Sequence, residues 1–416
     1  MDTTNSIALY GGVPTITAPM GKGNRFGEEE LANVKDALNQ NTLFYWFGTA
    51  VKRMTEKFAA MYNVRHCVAT SSGTAALHVA LGTVGVSAGD EVIVTPITDM
   101  GSLIGILYQN AIPVFADLDP YSYNLDPRSV ESKITSKTKA ILVVHLTGGP
   151  ADMDGIMDVA KRHNLRVIED CAQSYLAEYK GRLCGTIGDI GCFSLNDFKQ
   201  ITAGDGGMLI MNDEELYERA ARFADKNYQR LPSDHPVRDI PFIAPNYRMN
   251  ELTGAVGLAQ LDRLSKICAR RTAVGDKLSA ALALLPGIYP PKVEKDSRST
   301  YWFYMFRIDE AQAGVGRDVF CDALTAEGVV NQHGYIPSCV YEYDLFKKRN
   351  AYDGTECPFG CKYNGNQHIY AQGDCPVAEE ILKTAVRINI DEFITDQNVD
   401  EMIAAIQKVS AYFLKK

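Results

Sequence analysis

The chain has 416 residues, 46% of them hydrophobic and 22% charged, and a formal net charge of -9 from 42 basic and 51 acidic side chains. That length allows a large domain with a smaller one appended and needs no disulfides to hold a core. The acidic balance argues against non-specific attraction to nucleic acid or anionic lipid, and the apolar uncharged run at residues 100–116 is too short and polar to cross a membrane. The N-terminus lacks the basic and apolar regions of a signal peptide, and the ten cysteines are scattered, so a reducing cytoplasm is expected.

In chain order, "EEELANVKDAL" (28–38) places Leu31, Val34 and Leu38 at helical spacing. "HCVAT" reads as a strand, and "TAALHVAL" from Thr74 as a helix rich in helix formers. The runs "DEVIVTP" (90–96), "IPVFADL" (112–118), "KAILVVHL" (139–146) and "LRVIED" (165–170) are near-continuous apolar strands, with the amphipathic helix "DGIMDVAKRHN" between the last two. Such alternation predicts βαβ units and a parallel sheet buried on both faces.

A long helix is expected over Asn250 to Leu285, broken by "LPGIYPP", followed by a strand over Tyr301 to Ile308. The tail "TDQNVDEMIAAIQKVSAYF" reads as a helix capped by Thr395 or Asp396, with Val399, Met402, Ile406, Val409 and Phe413 on its core face. The fold class is α/β: an arm over 1–25, a large domain with a mostly parallel central sheet over 26–262, and a smaller α+β domain over 263–416. The long helix links the two, and an insertion occupies about 347–373. Cys357, Cys361, His368 and Cys375 in or beside that insertion are separated by three, six and six residues, unlike the tight pairs of structural zinc sites. They read as part of a packed loop, and no metal is expected.

Ligands of open α/β sheets sit beyond the carboxyl ends of the strands. "SSGT" (71–74) precedes a helix there: Gly73 lets the backbone come close, while Ser72 and Thr74 offer hydroxyls and helix-terminal N–H groups to an anion. Taken alone, the same residues would serve equally as a helix cap. "VIEDCAQ" ends a strand on Asp170, with Gln173 three residues on, and a buried carboxylate needs a cation or hydrogen bonds. Lys199 follows in "FSLNDFKQITAGDGGM" (193–208), five residues after Ser194. A buried acid, a phosphate cradle and a buried amine together suit pyridoxal 5'-phosphate (PLP).

The chain resembles the DegT/DnrJ/StrS family of PLP-dependent sugar aminotransferases, which have the type I aspartate-aminotransferase fold. The likeness runs through "LYGGVP" (9–14), "SSGTAALHVAL" (71–81), "VIVTPIT" (92–98), "VHLTGGPADMD" (144–154), the block 167–208 and "NYRMNELTGAVGLAQL" (246–261). It implies that Lys199 is the Schiff-base lysine, that Asp170 pairs with the pyridine nitrogen, and that Gln173 touches the phenolic oxygen. Gly73, Thr74 and Ser194 would hold the phosphate, with Ser72 beside them in the cradle read above. Asn246 would reach the phosphate of the partner subunit, so the site would be shared across a homodimer. The implied reaction moves an amino group from glutamate or glutamine to a keto-sugar, with pyridoxamine phosphate as the intermediate cofactor form.

Three departures concern the substrate side. Asp99 stands where the family usually stacks an aromatic residue on the cofactor ring, and by that place it is expected to contact the cofactor. "GYIPSC" (334–339) puts Gly334 and Cys339 where many members have histidines, with His333 adjacent. The 347–373 segment is also longer than in simple members. A keto-cyclitol acceptor therefore stays open beside the keto-sugar. A PLP-binding regulator without turnover would be expected to have lost the lysine or the acid, and neither is lost. The branch that dehydrates sugars carries histidine in place of Lys199. A dinucleotide-binding oxidoreductase would need a GxGxxG between strand and helix, which the sequence lacks.

Overall fold

The apolar runs become strands because each is buried on both sides: every residue of "EVIV", "IPVF" and "GMLIM" is covered. The computed structural model describes residues 6–230, 240–360 and 369–414. The strands are β1 (His66–Thr70), β2 (Glu91–Val94), β3 (Ile112–Phe115), β4 (Thr138–Val144) and β5 (Arg166–Asp170). A short hairpin, β6 (Glu178–Tyr179) and β7 (Arg182–Leu183), precedes β8 (Ile190–Ser194) and β9 (Gly207–Met211). Seven of them form one sheet in the order β1-β9-β8-β5-β4-β2-β3. All are parallel except β9, which pairs antiparallel with both β1 and β8.

The parallel strands end together, so Val144 lies beside Asp170 and Asp170 beside Cys192, close to Ser194 at the end of β8. Helices close both faces. One carries Leu77, Leu81, Leu103, Ile106 and Ile156 against the sheet; the other is filled by Phe58, Tyr62, Tyr175, Phe193 and Leu258.

The helix Glu251–Leu282 is continuous, and Asn250 caps it by accepting from Leu252 N and Thr253 N at 3.0 Å each. Its first half packs Leu258, Leu261 and Leu264 beneath the large sheet; its second half gives Val274, Leu278 and Leu282 to a separate core. That second core surrounds a four-stranded antiparallel sheet of β10 (Ile288–Tyr289), β11 (Tyr304–Ile308), β12 (Asn331–Gln332) and β13 (Ala385–Ile388), ordered β10-β11-β13-β12. The tail helix Asp396–Phe413 buries Val399, Met402, Ile406, Val409 and Phe413, and Thr395 caps it.

Two features differ from the pattern-based expectation. Leu31 and Leu38 lie on the helix Glu28–Asn39 but are 65% and 57% exposed, while Glu30 and Ala37 are buried, so the apolar stripe faces away from this chain's core. The segment around the insertion also leaves the small sheet and packs on the edge of the large one. Phe346, Phe359 and Tyr370 stack around Phe115 of β3, and the Tyr370 hydroxyl donates to Pro113 O at 2.7 Å. This covers an edge strand that would otherwise present unpaired backbone. Of the four cysteine and histidine positions noted there, Cys361 and His368 lie outside the described residues; Cys375 is buried and Cys357 half-buried.

One buried carboxylate organises the carboxyl edge from behind. Glu169 Oε2 accepts from His145 Nε2 (2.9 Å) and Gly185 N (2.7 Å); Oε1 accepts from Ile187 N (2.7 Å) and Gly188 N (2.6 Å). His145 Nδ1 accepts from Ala151 N, which assigns the ring proton to Nε2. Cys171 lies close enough to complete a three-ligand cluster, but Glu169 and His145 already hold hydrogen-bonding partners, so their roles are structural. These bonds outweigh burial and hold the Glu169 carboxyl below its ordinary pKa, so its stabilisation is present above that value and lost as pH falls. Glu169→Leu, which orphans three backbone N–H groups, should cost about 3–5 kcal/mol in denaturant unfolding. A loss below about 1 kcal/mol would contradict this role.

Candidate active site

The carboxyl edge gathers Asp170, Gln173, Ser194 and Lys199 from two adjacent strands and the loops after them. Asp170 is buried; its Oδ2 accepts from Ser102 Oγ (2.7 Å) and its Oδ1 from Ala172 N (3.1 Å). Thr98 Oγ1 lies 2.8 Å from Ser102 Oγ and is the donor there, because the serine proton is committed to the carboxylate. Burial raises the Asp170 pKa, opposed by Ser102, Ala172 and the field of Lys199. No cation bonds the carboxylate directly among the described residues, so a positively charged ring nitrogen would meet a dehydrated anion there.

Lys199 is half-buried, and its Nζ lies 3.7 Å from the centroid of the Trp302 ring. Burial pulls its pKa down to about 8, against the raising fields of Asp170 and Asp99. The backbone around it is clamped. Arg25 donates to the carbonyls of Asp197, Lys199 and Gln200, and Trp302 Nε1 donates to Phe198 O at 2.6 Å. Four consecutive carbonyls are thus held by the N-terminal arm and the small domain. Gln200 Nε2 also donates to Gln173 O at 2.7 Å, tying the lysine loop to the loop after β5.

Gln173 is buried, and Thr147 N donates to its Oε1 at 2.8 Å, which leaves Nε2 for a ligand. Thr147 belongs to a tight turn with φ of 62°, followed by Gly148 at 92°. A Cβ on Gly148 would come within 2.9 Å of Gln173 O and 2.7 Å of Tyr301 N, so only glycine fits both the dihedral and the gap.

The helix Gly73–Thr83 begins against Ser194: a Cβ on Gly73 would lie 2.6 Å from Ser194 Cβ. Ser72 Oγ is used as the N-cap, accepting from Ala75 N at 3.0 Å, while the N–H groups of Gly73 and Thr74 have no acceptor within the helix. Ser194 Oγ accepts from Asn196 N at 3.2 Å. This is a cradle for an anion, with room made by the absent side chain of Gly73.

Asp99 is exposed and accepts from Gly101 N at 2.8 Å, capping the next helix. Asn246 is exposed; its backbone pairs with Asp225, and the following Tyr247 O accepts from Ser71 N at 2.7 Å, so "NYRM" runs beside the cradle. Sequence pattern did not disclose Arg25, Ser102, Trp302, Tyr335 or Arg387. For Ser102 a signal existed, since it sits in the first turn after the end of β2; the others arrive from distant segments and carry no local mark.

The donor set fits PLP: an amine of lowered pKa, a buried acid, an amide donor and an anion cradle at one sheet edge. The model of the DegT/DnrJ/EryC1/StrS aminotransferase family matches residues 24–364. The chain belongs to this family, whose members are PLP-dependent aminotransferases of the type I fold. It is 38% identical to the L-glutamine:2-deoxy-scyllo-inosose aminotransferase of Streptoalloteichus tenebrarius, over 87% of this chain and 86% of that protein. It is 34% identical to the GDP-perosamine synthase of Caulobacter vibrioides, over 87% and 90%. The X-ray structure of the aminotransferase from Psychrobacter cryohalolentis superimposes with a TM-score of 0.83 at 30% identity, covering 95% of this chain and all of that one.

A lysine with a pKa of about 8 is about one-quarter neutral at pH 7.5, against about 0.1% for an ordinary one. Competitive acetylation of unloaded protein, followed by mass spectrometry, should therefore show Lys199 labelling level off above pH about 8. Labelling that still climbs steeply near pH 10 would contradict the lowered value.

Proposed function

We propose that this chain uses PLP to move an amino group from glutamate or glutamine to a keto-sugar, with Lys199 as the catalytic amine and Asp170 as the partner of the ring nitrogen. The observation that carries this is the convergence of a low-pKa amine and a buried carboxylate at the carboxyl edge of one sheet. Bound PLP would supply an aldehyde for the amine and a ring that accepts the electron pair of a broken C–H bond. Lys199 Nζ, once released, would take the proton from the donor's amino-bearing carbon in one half-reaction and deliver a proton to the acceptor's former carbonyl carbon in the other; its lowered pKa suits both directions near neutral pH. Asp170, oriented by Ser102 and Ala172 N, holds the ring nitrogen protonated, and the low dielectric around it strengthens that hold. Gly73 N, Thr74 N and Ser194 Oγ would hold the phosphate, and Gln173 Nε2 would donate to the phenolic oxygen. The clamp of Arg25 and Trp302 keeps the lysine backbone still while its side chain moves.

A keto-cyclitol acceptor is supported by the likeness to the scyllo-inosose enzyme and by Gly334 and Cys339 at the family's histidine positions. A homodimer with a shared site is supported by the apolar surface of Leu31, Phe47 (69% exposed) and Ile243 (94% exposed), together with exposed Asn246. The described cysteines are free thiols and no described helix is long and apolar enough to cross a membrane, which agrees with a cytoplasmic setting.

Lys199→Ala should abolish amino transfer while leaving the melting temperature close to that of the unloaded wild type. Asp170→Asn should slow transfer by about 100-fold or more. Because burial raises the Asp170 pKa, its ionised form opposes folding at neutral pH, and the unloaded Asp170→Asn protein should melt no lower than wild type. Wild-type transfer rates in either variant would refute the assigned roles.

A further inference from the structure

Asp99 brings into the candidate active site a carboxylate that the residues assigned to the cofactor leave half used. It sits in the loop after β2, next to Thr98, whose hydroxyl leads through Ser102 to Asp170. One oxygen, Oδ1, accepts from Gly101 N at 2.8 Å; Oδ2 has no hydrogen-bond or ion-pair partner among the described residues. A Cβ on Gly101 would lie 3.0 Å from Asp99 Oδ1 and 2.8 Å from Thr74 Oγ1, so the carboxylate stands beside the anion cradle.

The facing wall comes from the segment after β12. Val340 N donates to Pro96 O at 2.9 Å, just before Asp99 in the chain, which docks the stretch carrying Tyr335 and Tyr343 against this loop. The Tyr335 ring centroid lies 5.7 Å from that of Trp302, the ring against which Lys199 Nζ rests. The Asp99 charge acts on both tyrosines, on Lys199 and on Asp170, so these groups border one gap. Arg387 rests on the rings of Phe303, Tyr335 and Trp302 and forms no ion pair with Asp99.

An exposed carboxylate oxygen is solvated by water. A substrate that fills the gap removes this water and has to supply a hydrogen-bond donor in its place. An anion brought there instead meets a like charge in a partly dehydrated space. The reacting carbon must meet Lys199 Nζ, so the far end of the molecule is what reaches the walls. The two amino donors considered above are nearly the same shape and differ at that end alone. Glutamine ends in a neutral amide with two N–H donors, glutamate in a carboxylate. We infer that Asp99 accepts a hydrogen bond from the side-chain amide of the amino donor and so selects glutamine over glutamate. This rests on the aminotransferase reading and decides the donor that it leaves open.

Two inert analogues test the choice without turnover: glutaramate, which ends in the amide, and glutarate, which ends in the carboxylate. In calorimetric titration, PLP-loaded wild type should bind glutaramate at least about 10-fold more tightly than glutarate. Asp99→Asn keeps the size and the oxygen that accepts from Gly101 N but loses the charge, and should bring the two affinities within about threefold of each other. Asp99→Ser also keeps an acceptor for Gly101 N, should act the same way, and serves if the asparagine variant does not fold. In the first half-reaction, read as loss of the PLP absorbance, Asp99→Asn should raise kcat/KM for glutamate and lower it for glutamine. An equal loss with both donors marks a merely structural role and overturns the inference. So does a wild type that binds glutarate as well as glutaramate, or binds neither, and so does a preference that survives both substitutions; the functional reading still stands if Lys199→Ala is inactive. Should wild type fail to take up PLP, that reading fails instead, and titration of the unloaded proteins still decides the role of Asp99.

Discussion

Two groups that prefer water, the Lys199 amine and the Asp170 carboxylate, are withdrawn from it at the same edge of the same sheet. Burial lowers the first pKa and raises the second, and their mutual attraction opposes both shifts without cancelling either. The rest of the site is arranged around keeping them there. Glu169 pins the loops behind β5, Ser102 and Ala172 N aim the Asp170 oxygens, and Arg25 and Trp302 fix the lysine loop. A fold that spends stability on such a pair has a use for it, and a ligand bearing an aldehyde and a cationic ring nitrogen answers both strains at once.

The small domain contributes more than a lid. It supplies Trp302, against which the Lys199 amine rests, with Tyr335 and Arg387 beside it, and its link to the lysine loop runs through hydrogen bonds instead of chain continuity. Arg271 binds Trp302 O and Glu392, and Glu392 lies 3.7 Å from Arg25, so one polar path joins the arm, the small domain and the lysine loop. The insertion has a separate task, sealing the β3 edge with stacked aromatics.

Much of the large domain was legible because its strands are continuous apolar runs and its helices amphipathic, so period and length alone separated them. Asp170 and Ser194 could be placed at strand ends for the same reason, and the resemblance supplied the roles. The reversed direction of β9 was not legible, since an all-buried strand has the same pattern either way. Leu31 and Leu38 misled for a related reason: helical spacing marks an apolar face but does not say what covers it. Arg25, Trp302 and Arg387 escaped because their meaning lies in contacts with residues distant in the chain, which no local pattern encodes. Asp99 was read from its place as a cofactor contact; one of its carboxylate oxygens accepts from Gly101 N at the start of the next helix, a local bond that position alone did not disclose.

The central claim is that the Lys199 amine is the one that bonds the cofactor aldehyde. Borohydride treatment of protein loaded with one equivalent of PLP, then digestion and mass spectrometry, measures this directly. A single pyridoxyl-modified peptide carrying the label on Lys199 is the predicted result. A label spread over other lysines, or confined to one of them, would contradict it.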